Sequence, residues 1–339
     1  MSESFMQEGL VSTVIPVYNR PELLREAVAS VLAQTYRPIE IIIVDDGSTD
    51  GTPNAINELV RESPAAVRSI RKENAGPGLA REAGRLAARG EFLQYLDSDD
   101  LLLPDKFTLQ VAGLRQGPDC GVAYGWTRYR HRDGRLENGP WKGSGNEIMT
   151  MFPAMLKSRW WDTPTPLYRR SLCDTAGPWS DLRLEEDWEY DCRVASLGVQ
   201  LCHVKEFVAE VRDVAPSRLC RGAARDPFRM RERTRAHALI LGHAETAGIG
   251  VDTPEMRHFA RELFLLCRQC GAAGLGREAR CLFDLSRQAA GDKRSRGLDY
   301  RGYFTVAALL GWSLAGKMTC MFDRFRKNSA KDQGSRGTL

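Results

Sequence analysis

Strand-like and helix-like segments alternate through the first hundred residues, and two of the strand-like runs end abruptly in acids. Residues 39–44 (IEIIIV) run into Asp45, Asp46 and Asp50, and residues 92–96 (FLQYL) run into Asp97, Asp99 and Asp100. A β-branched run at 12–17 closes with Pro16, Tyr18 and Asn19, and Pro21 then opens a helix with Leu24, Val28 and Val31 on one face. Helices are expected at about 53–61 and 78–88, with a modest strand at 67–71 between them. A nearly continuous apolar run such as 39–44 suits a parallel strand covered on both faces. The pattern is that of a doubly wound α/β sheet, whose ligands sit at the carboxyl ends of its strands. Both acid clusters should then face one crevice.

Carboxylates crowded at a sheet edge repel one another. A hard divalent cation with oxygen ligands, Mg²⁺ or Mn²⁺, offsets them and carries a substrate's phosphates with it. The plainer alternative is an acidic cap for the helix beginning near Pro104, which needs only one of the three acids at 97–100.

Beyond residue 117 the pattern changes. Residues 120–129 and a strand after Arg135 flank Asp133-Gly134, a hairpin signal. Ile148, Met151, Phe152, Met155 and Leu156 recur at helical spacing. A strand at 167–169, an amphipathic helix within 181–197, and short strands at 199–203 and 207–211 complete the reading of residues 1–216 as one domain. From 217 to 327 the chain reads as helices only, and 328–339 as a disordered tail. Cys267 and Cys270 form a lone CxxC inside one of these helical segments, where buried thiols fit better than zinc.

Charge divides the chain as well. Residues 1–216 carry a net −7 and residues 217–339 a net +11, so the second part suits a negatively charged partner. The apolar segment 303–322 is followed by Arg324, Arg326 and Lys327, and reads either as an interfacial helix or as a buried packing helix. Its uncharged stretch falls short of the roughly 20 residues a spanning helix needs. Aromatic interleaving is absent from the basic part, which argues against nucleic acid. The N-terminus has no basic and apolar leader pattern, and nine scattered cysteines suit a reducing compartment, so a cytoplasmic location is expected, at the inner face of a membrane if the basic part binds lipid.

Five pieces in order, VSTVIPVYNR, QTYRPIEIIIVDDGSTDGT, NAGPGLAREAG, GEFLQYLDSDDLLLPDKF and LRLEEDWEYDCRVASLG, resemble the family 2 glycosyltransferases, inverting enzymes with the GT-A fold. The resemblance covers about residues 10–212. It implies transfer of a sugar from a nucleotide diphosphate, with Mn²⁺ or Mg²⁺ as cofactor. Asp97 and Asp99 then form the DxD element, with Asp99 the direct metal ligand; Asp100 either bonds the donor sugar or caps the next helix. Asp46 accepts from the nucleotide base, and an acceptor-only carboxylate favours the imide N–H of uracil or thymine. Pro16, Tyr18 and Arg81 line the nucleotide pocket, Arg81 pairing with phosphate unless it is a solvated helix residue. Asp187, in the Glu186-Asp187 pair that opens a helix, is the catalytic base. Glu186 and Trp188 are candidate acceptor or sugar contacts, and Trp160 and Trp161 either stack on sugar or pack in the core.

Two departures stand out. Ala80-Arg81-Glu82 replaces the family's Ala-Arg-Asn, and the histidine that many members carry after the last strand is missing, Val214 lying near its place. Arg212 or a later arginine is a candidate replacement. The acceptor class implied is a glycan or lipid-linked hydroxyl. The rival reading of the same motifs is a transferase-like scaffold that binds nucleotide sugar without turnover. An oxidoreductase is disfavoured because Gly76-Pro77-Gly78 is followed by Arg81 where a dinucleotide fingerprint needs glycine.

Overall fold

Four parallel strands make the centre of the first unit, and their order follows from the alternation described above. In chain order the elements are β1 (Gln7–Val17), α1 (Pro21–Leu32), β2 (Ile39–Asp45), α2 (Thr52–Glu62), β3 (Val67–Arg71), α3 (Pro77–Ala87) and β4 (Gly90–Tyr95). Then come β5 (Leu101–Leu102), α4 (Lys106–Gln116), β6 (Cys120–Arg130), β7 (Leu167–Arg169), α5 (Arg170–Ala176), α6 (Glu186–Ala195) and β8 (Gln200–Arg212). This computed structural model describes residues 6–214 and 226–322. Among them the strands form one mixed sheet ordered β3-β2-β1-β4-β7-β6-β8-β5. β1 pairs in parallel with β2 and with β4, and β2 with β3, so their carboxyl ends lie along one edge. β7 is antiparallel to both β4 and β6, which ends the doubly wound half.

Burial explains the central strands. Val11, Val14 and Ile15 of β1, Ile41 to Val44 of β2, and Phe92 and Leu93 of β4 are inaccessible to solvent. α1 covers one face with Leu24, Ala27, Val28 and Val31, the stripe its spacing predicts. Each such aliphatic side chain contributes about 1.5–3 kcal/mol on full burial. α3 packs closely on β1, because a Cβ on Gly84 would lie 2.2 Å from Val14 Cγ1.

Several expectations change in the later part. The apolar spacing at 148–156 yields only a short 3₁₀ turn, Ala154–Leu156. Pro153 cannot donate to a helical ladder, and Met151, Phe152, Met155 and Leu156 are buried from an irregular segment instead. The Asp133-Gly134 turn forms, with Gly134 at φ +84°, but the second arm shrinks to a bridge between Arg130 and Leu136. Residues 199–203 and 207–211 belong to one continuous strand, β8, whose pairing with β6 absorbs register shifts around Gly125 and Trp126. α5 follows β7 without a break and was not anticipated.

The chain divides into two compact units, Met1–Arg218 and Leu219–Leu339. The boundary expected at 216/217 and the tail at 328–339 lie outside the described residues. The second unit contains α7 (Pro227–Thr246), α8 (Pro254–Ala272), α9 (Gly276–Ser295) and α10 (Leu298–Leu310), followed by a helical stretch over 312–322. Gly311, at φ +82°, separates the last two, so the apolar segment 303–322 is broken rather than one helix. Gly316 lets the last stretch meet α8, since a Cβ there would lie 2.4 Å from Ala272 N. Phe264, Phe283, Tyr300 and Tyr303 build an aromatic core. Cys267 and Cys270 are buried there, and burial pushes their thiols up to about 12 and about 11. No helix among the described residues is long and apolar enough to cross a membrane.

Candidate active site

The acids meet where the parallel strands end. Asp46 N–H donates to Val17 O at 2.9 Å and Leu96 N–H to Val14 O at 3.0 Å, so the segments after β2 and β4 flank the end of β1. Asp45 serves the turn, accepting from Ser48 N at 2.8 Å, and Asp50 accepts from Thr52 N at the start of α2. Asp46 is 4 % exposed and already well used. Its Oδ1 accepts from Lys72 Nζ (2.8 Å) and Ala75 N (3.0 Å), and its Oδ2 from Gly76 N (2.9 Å). A carboxylate has about four acceptor sites, so one remains on Oδ2. Pro16 pairs in register with Val44 at the strand end, and Tyr18 is 45 % exposed just beyond.

Arg81 is the hinge of the site. It is buried, not solvated: its Nη2 donates to Asp97 Oδ1 at 2.6 Å and its Nη1 to Glu186 Oε1 at 2.7 Å, while the guanidinium lies 4.9 Å from the Trp179 ring centre. Burial works against its charge, but Asp97, Glu186 and Asp187 outweigh this and raise its pKa. Its Nε is buried with no partner among the described residues. One side chain thus ties the acid loop after β4 to the start of α6, Arg81 and Glu186 lying 105 residues apart in the chain.

Asp99 is paired to Arg20 Nη1 at 2.9 Å. Arg212 docks on the same loop: its Nε donates to Asp99 O (2.7 Å) and its backbone N–H to Asp100 Oδ1 (3.1 Å). Asp100 therefore does not cap the next helix, whose N-cap is Asp105. Burial, then Asp99 and Asp97, push the Asp100 carboxyl well above the usual carboxylate range. Among the described residues no three His, Cys, Asp or Glu side chains are arranged to hold a metal by themselves. The donor set still fits a hard cation that arrives with phosphate, since Mg²⁺-class ions use one or two carboxylates and take their other oxygens from substrate and water.

Glu185, just before α6, has a left-handed backbone at φ 61°. Such a conformation costs about 1–3 kcal/mol and persists where surrounding structure holds it. Next along, Asp187 Oδ1 accepts from Trp188 N at 2.7 Å, and its Oδ2 is paired with Arg159 Nη1. Arg159 also holds the buried Asp191 through Nε at 2.8 Å. Burial pushes Asp187 up, but Arg159, Arg81 and Lys142 outweigh it and leave its pKa lowered, so it is ionised at neutral pH. Glu186 moves the other way: burial and the neighbouring Asp187 push it up to about 7. Trp188 is half-buried with its Nε1 on Met155 O (2.8 Å). Trp161 is a core residue, wholly buried with its Nε1 on Asp191, and Trp160 is half-buried. Sequence reasoning missed Arg20, Lys72 and Arg159; nothing in their local spacing marks them as counter-charges.

Residues 12–174 match the profile described as Glycosyl transferase family 2. A glycosyltransferase of Rickettsia felis is 42 % identical over 118 residues, which are 34 % of this chain and 19 % of that protein. One from a Nostoc species is 40 % identical over 114 residues, 34 % of this chain and 35 % of the relative. These matches thus span only about a fifth to a third of those relatives' length. Among solved structures, residues 1–349 of S. aureus TarS in complex with UDP-GlcNAc align over 94 % of this chain and 92 % of that one, at TM-score 0.67 and 17 % identity. The mannosyltransferase PcManGT of Pyrobaculum calidifontis, in complex with GDP-Man and Mn²⁺, aligns over 92 % and 87 % at TM-score 0.52 and 19 % identity. At these identities the likeness is one of fold. Residues 12–174 thus resemble glycosyl transferase family 2, and the chain shares the fold of these glycosyltransferase structures.

Proposed function

We propose that this protein is an inverting glycosyltransferase that moves one sugar from a UDP- or dTDP-sugar to a hydroxyl of a glycan or lipid-linked acceptor. One observation carries the reading: Arg81 bridges Asp97 and Glu186, bringing the acid loop after β4 beside Asp187 at the start of α6. A nucleotide-diphosphate donor is supported by the fold, since TarS was solved with UDP-GlcNAc and PcManGT with GDP-Man. The remaining acceptor site on Asp46 favours a base with an imide N–H, with Pro16 and Tyr18 beside it.

In the reaction the acceptor oxygen bonds to the anomeric carbon as the bond to the diphosphate breaks. The electron pair leaves with the diphosphate and the hydroxyl proton passes to Asp187. Trp188 N–H and Arg159 orient that carboxylate, and Arg159 must yield part of its hold on Oδ2 for the proton to land there. Arg81, with its unpartnered Nε, and Arg20 place positive charge beside the acids where diphosphate charge grows. Asp99, with Asp97 and substrate oxygens, would hold Mn²⁺ or Mg²⁺. Such an ion supplies Lewis-acid stabilisation of the leaving diphosphate.

The competing reading, a scaffold that binds nucleotide sugar without turnover, is favoured by the arginines already on Asp99 and Asp187. Calorimetry of UDP, dTDP and GDP with and without Mn²⁺, on wild type and Asp99→Ala, tests the site. Metal-dependent binding of one pyrimidine nucleotide that is lost in Asp99→Ala is the expected result; binding to none of the three would sink the donor assignment. Asp187→Asn should keep donor binding while transfer falls by roughly 10²–10⁴-fold. Wild-type protein that binds donor yet transfers to no glycan or lipid-linked acceptor would favour the scaffold.

A further inference from the structure

The second unit holds a cleft of about 340 Å³ between the end of α9 and α10, lined by Arg287, Arg296, Arg301, Phe283, Tyr300 and Phe304. Among the described residues, none of these three arginine side chains has a hydrogen-bond or carboxylate partner. Asp284 and Asp292, three residues before Arg287 and four before Arg296, form no ion pair with them among the described residues, and other acids of the unit are engaged elsewhere. Asp252 holds Arg294 at 2.9 Å, Glu278 holds Arg231 at 3.0 Å, and Glu245 accepts from Gln288 Nε2 at 2.6 Å. Asp299 turns its carboxylate back to Gly297 at the start of its own helix. Three guanidiniums without an ion-pair partner among the described residues line one cleft and form a site for an anion with several oxygens, and arginine's planar fork suits phosphate.

The surroundings are apolar and exposed. Leu298 is 88 % exposed, Leu309 77 % and Phe304 50 %. At 100° per residue, Leu298, Arg301, Phe304 and Leu309 fall within about 140° of arc on α10, so the arginine and the apolar side chains share a face. Leu310 and, beyond Gly311, Leu314, Met321 and Phe322 are exposed as well. Leucines at that exposure do nothing for a free phosphate or a nucleic-acid backbone. They suit insertion at the headgroup boundary of a bilayer.

We infer that the Arg287/Arg296/Arg301 cleft receives the phosphate of an acidic phospholipid, with Leu298, Phe304 and Leu309 entering the bilayer interface around it. The surface is built within the second unit and rests on the glycosyltransferase reading only for its purpose, which would be to bring the enzyme to a lipid-linked acceptor. Binding should weaken with salt through the arginine part and persist in part through the apolar part.

The test is flotation of the full chain with vesicles of phosphatidylcholine alone or mixed with phosphatidylglycerol, at low and high salt. Wild type should float with the anionic vesicles. R296Q/R301Q should lower partitioning by about tenfold or more. R277Q/R280Q removes the same charge from exposed positions outside the cleft and should stay near wild type. Leu298→Asn with Leu309→Asn should remove the salt-resistant part. Equal losses in the two arginine pairs would reduce the effect to general charge and overturn the cleft. Failure of wild type to float, or binding of duplex or single-stranded DNA in its place, would overturn the membrane assignment. Nucleotide calorimetry on the same preparations separates the two claims: flotation lost with UDP binding kept sinks only this inference, and the reverse sinks only the donor site.

Discussion

At the scale of residues, the site is a network of opposed charges in which most acids meet a cation, some of them sharing one. Arg20 takes Asp99, Lys72 takes Asp46, Arg159 takes Asp187, and Arg81 takes Asp97 and Glu186 together. Glu186 gives this network a pH dependence. Its folded pKa is raised from 4.5 to about 7, so the folded state keeps a proton that the unfolded chain releases. The stability this contributes is fully present below about pH 4.5 and is lost as pH rises through about 7. In Glu186→Gln the urea midpoint should therefore be flatter between pH 5 and 8 than in wild type, with Arg81 still held by Asp97. An unchanged slope would mean that Glu186 titrates normally. The acids at 45–50 and 97–100 were legible in the sequence because they follow apolar runs, and Glu186 and Asp187 only through the family resemblance. Their cations were not, since a pairing such as Arg159 with Asp187 follows no spacing rule.

At the scale of elements, helices and parallel strands of the first half are set by local pattern, and later elements by packing. α1 starts at Pro21 and buries the predicted stripe, and β2 ends at Asp45 where the apolar run ends. The 148–156 stretch shows the opposite case, because its helical spacing lost to Pro153 while Met151, Phe152, Met155 and Leu156 found burial from an irregular segment. Close approach makes a further prediction. Alanine inside a helix usually gains about 1 kcal/mol over glycine, but a larger side chain at Gly84 meets Val14 of β1. Gly84→Val should cost about 1–3 kcal/mol in urea unfolding. Wild-type stability in that variant would show that α3 can move off β1 at no cost. Gly316 plays the same part beside α8, a contact that the broken apolar segment gave no reason to expect.

At the scale of the whole molecule, an acidic GT-A unit and a basic helical unit each have their own core. A fragment of residues 1–218 should fold, and should bind nucleotide within a few-fold of the full chain, because Asp46, Arg81, Asp97, Asp99 and Asp187 all lie inside it. Circular dichroism and the same calorimetric titration check this. A fragment that aggregates or loses binding would show that the helical unit completes the fold or the site.

By itself the sequence determined the parallel half of the sheet and the edge where its acids gather. Apolar runs of strand length and amphipathic stripes are local signals that burial enforces wherever the chain goes. The charge split likewise was plain from composition. Only the tertiary structure decided which cation neutralises which acid, that Arg81 is buried between Asp97 and Glu186, and that three arginines at the α9–α10 cleft lack partners among the described residues. Such pairings depend on through-space distance and desolvation between groups as far apart in the chain as Arg81 and Glu186, and no periodicity records them.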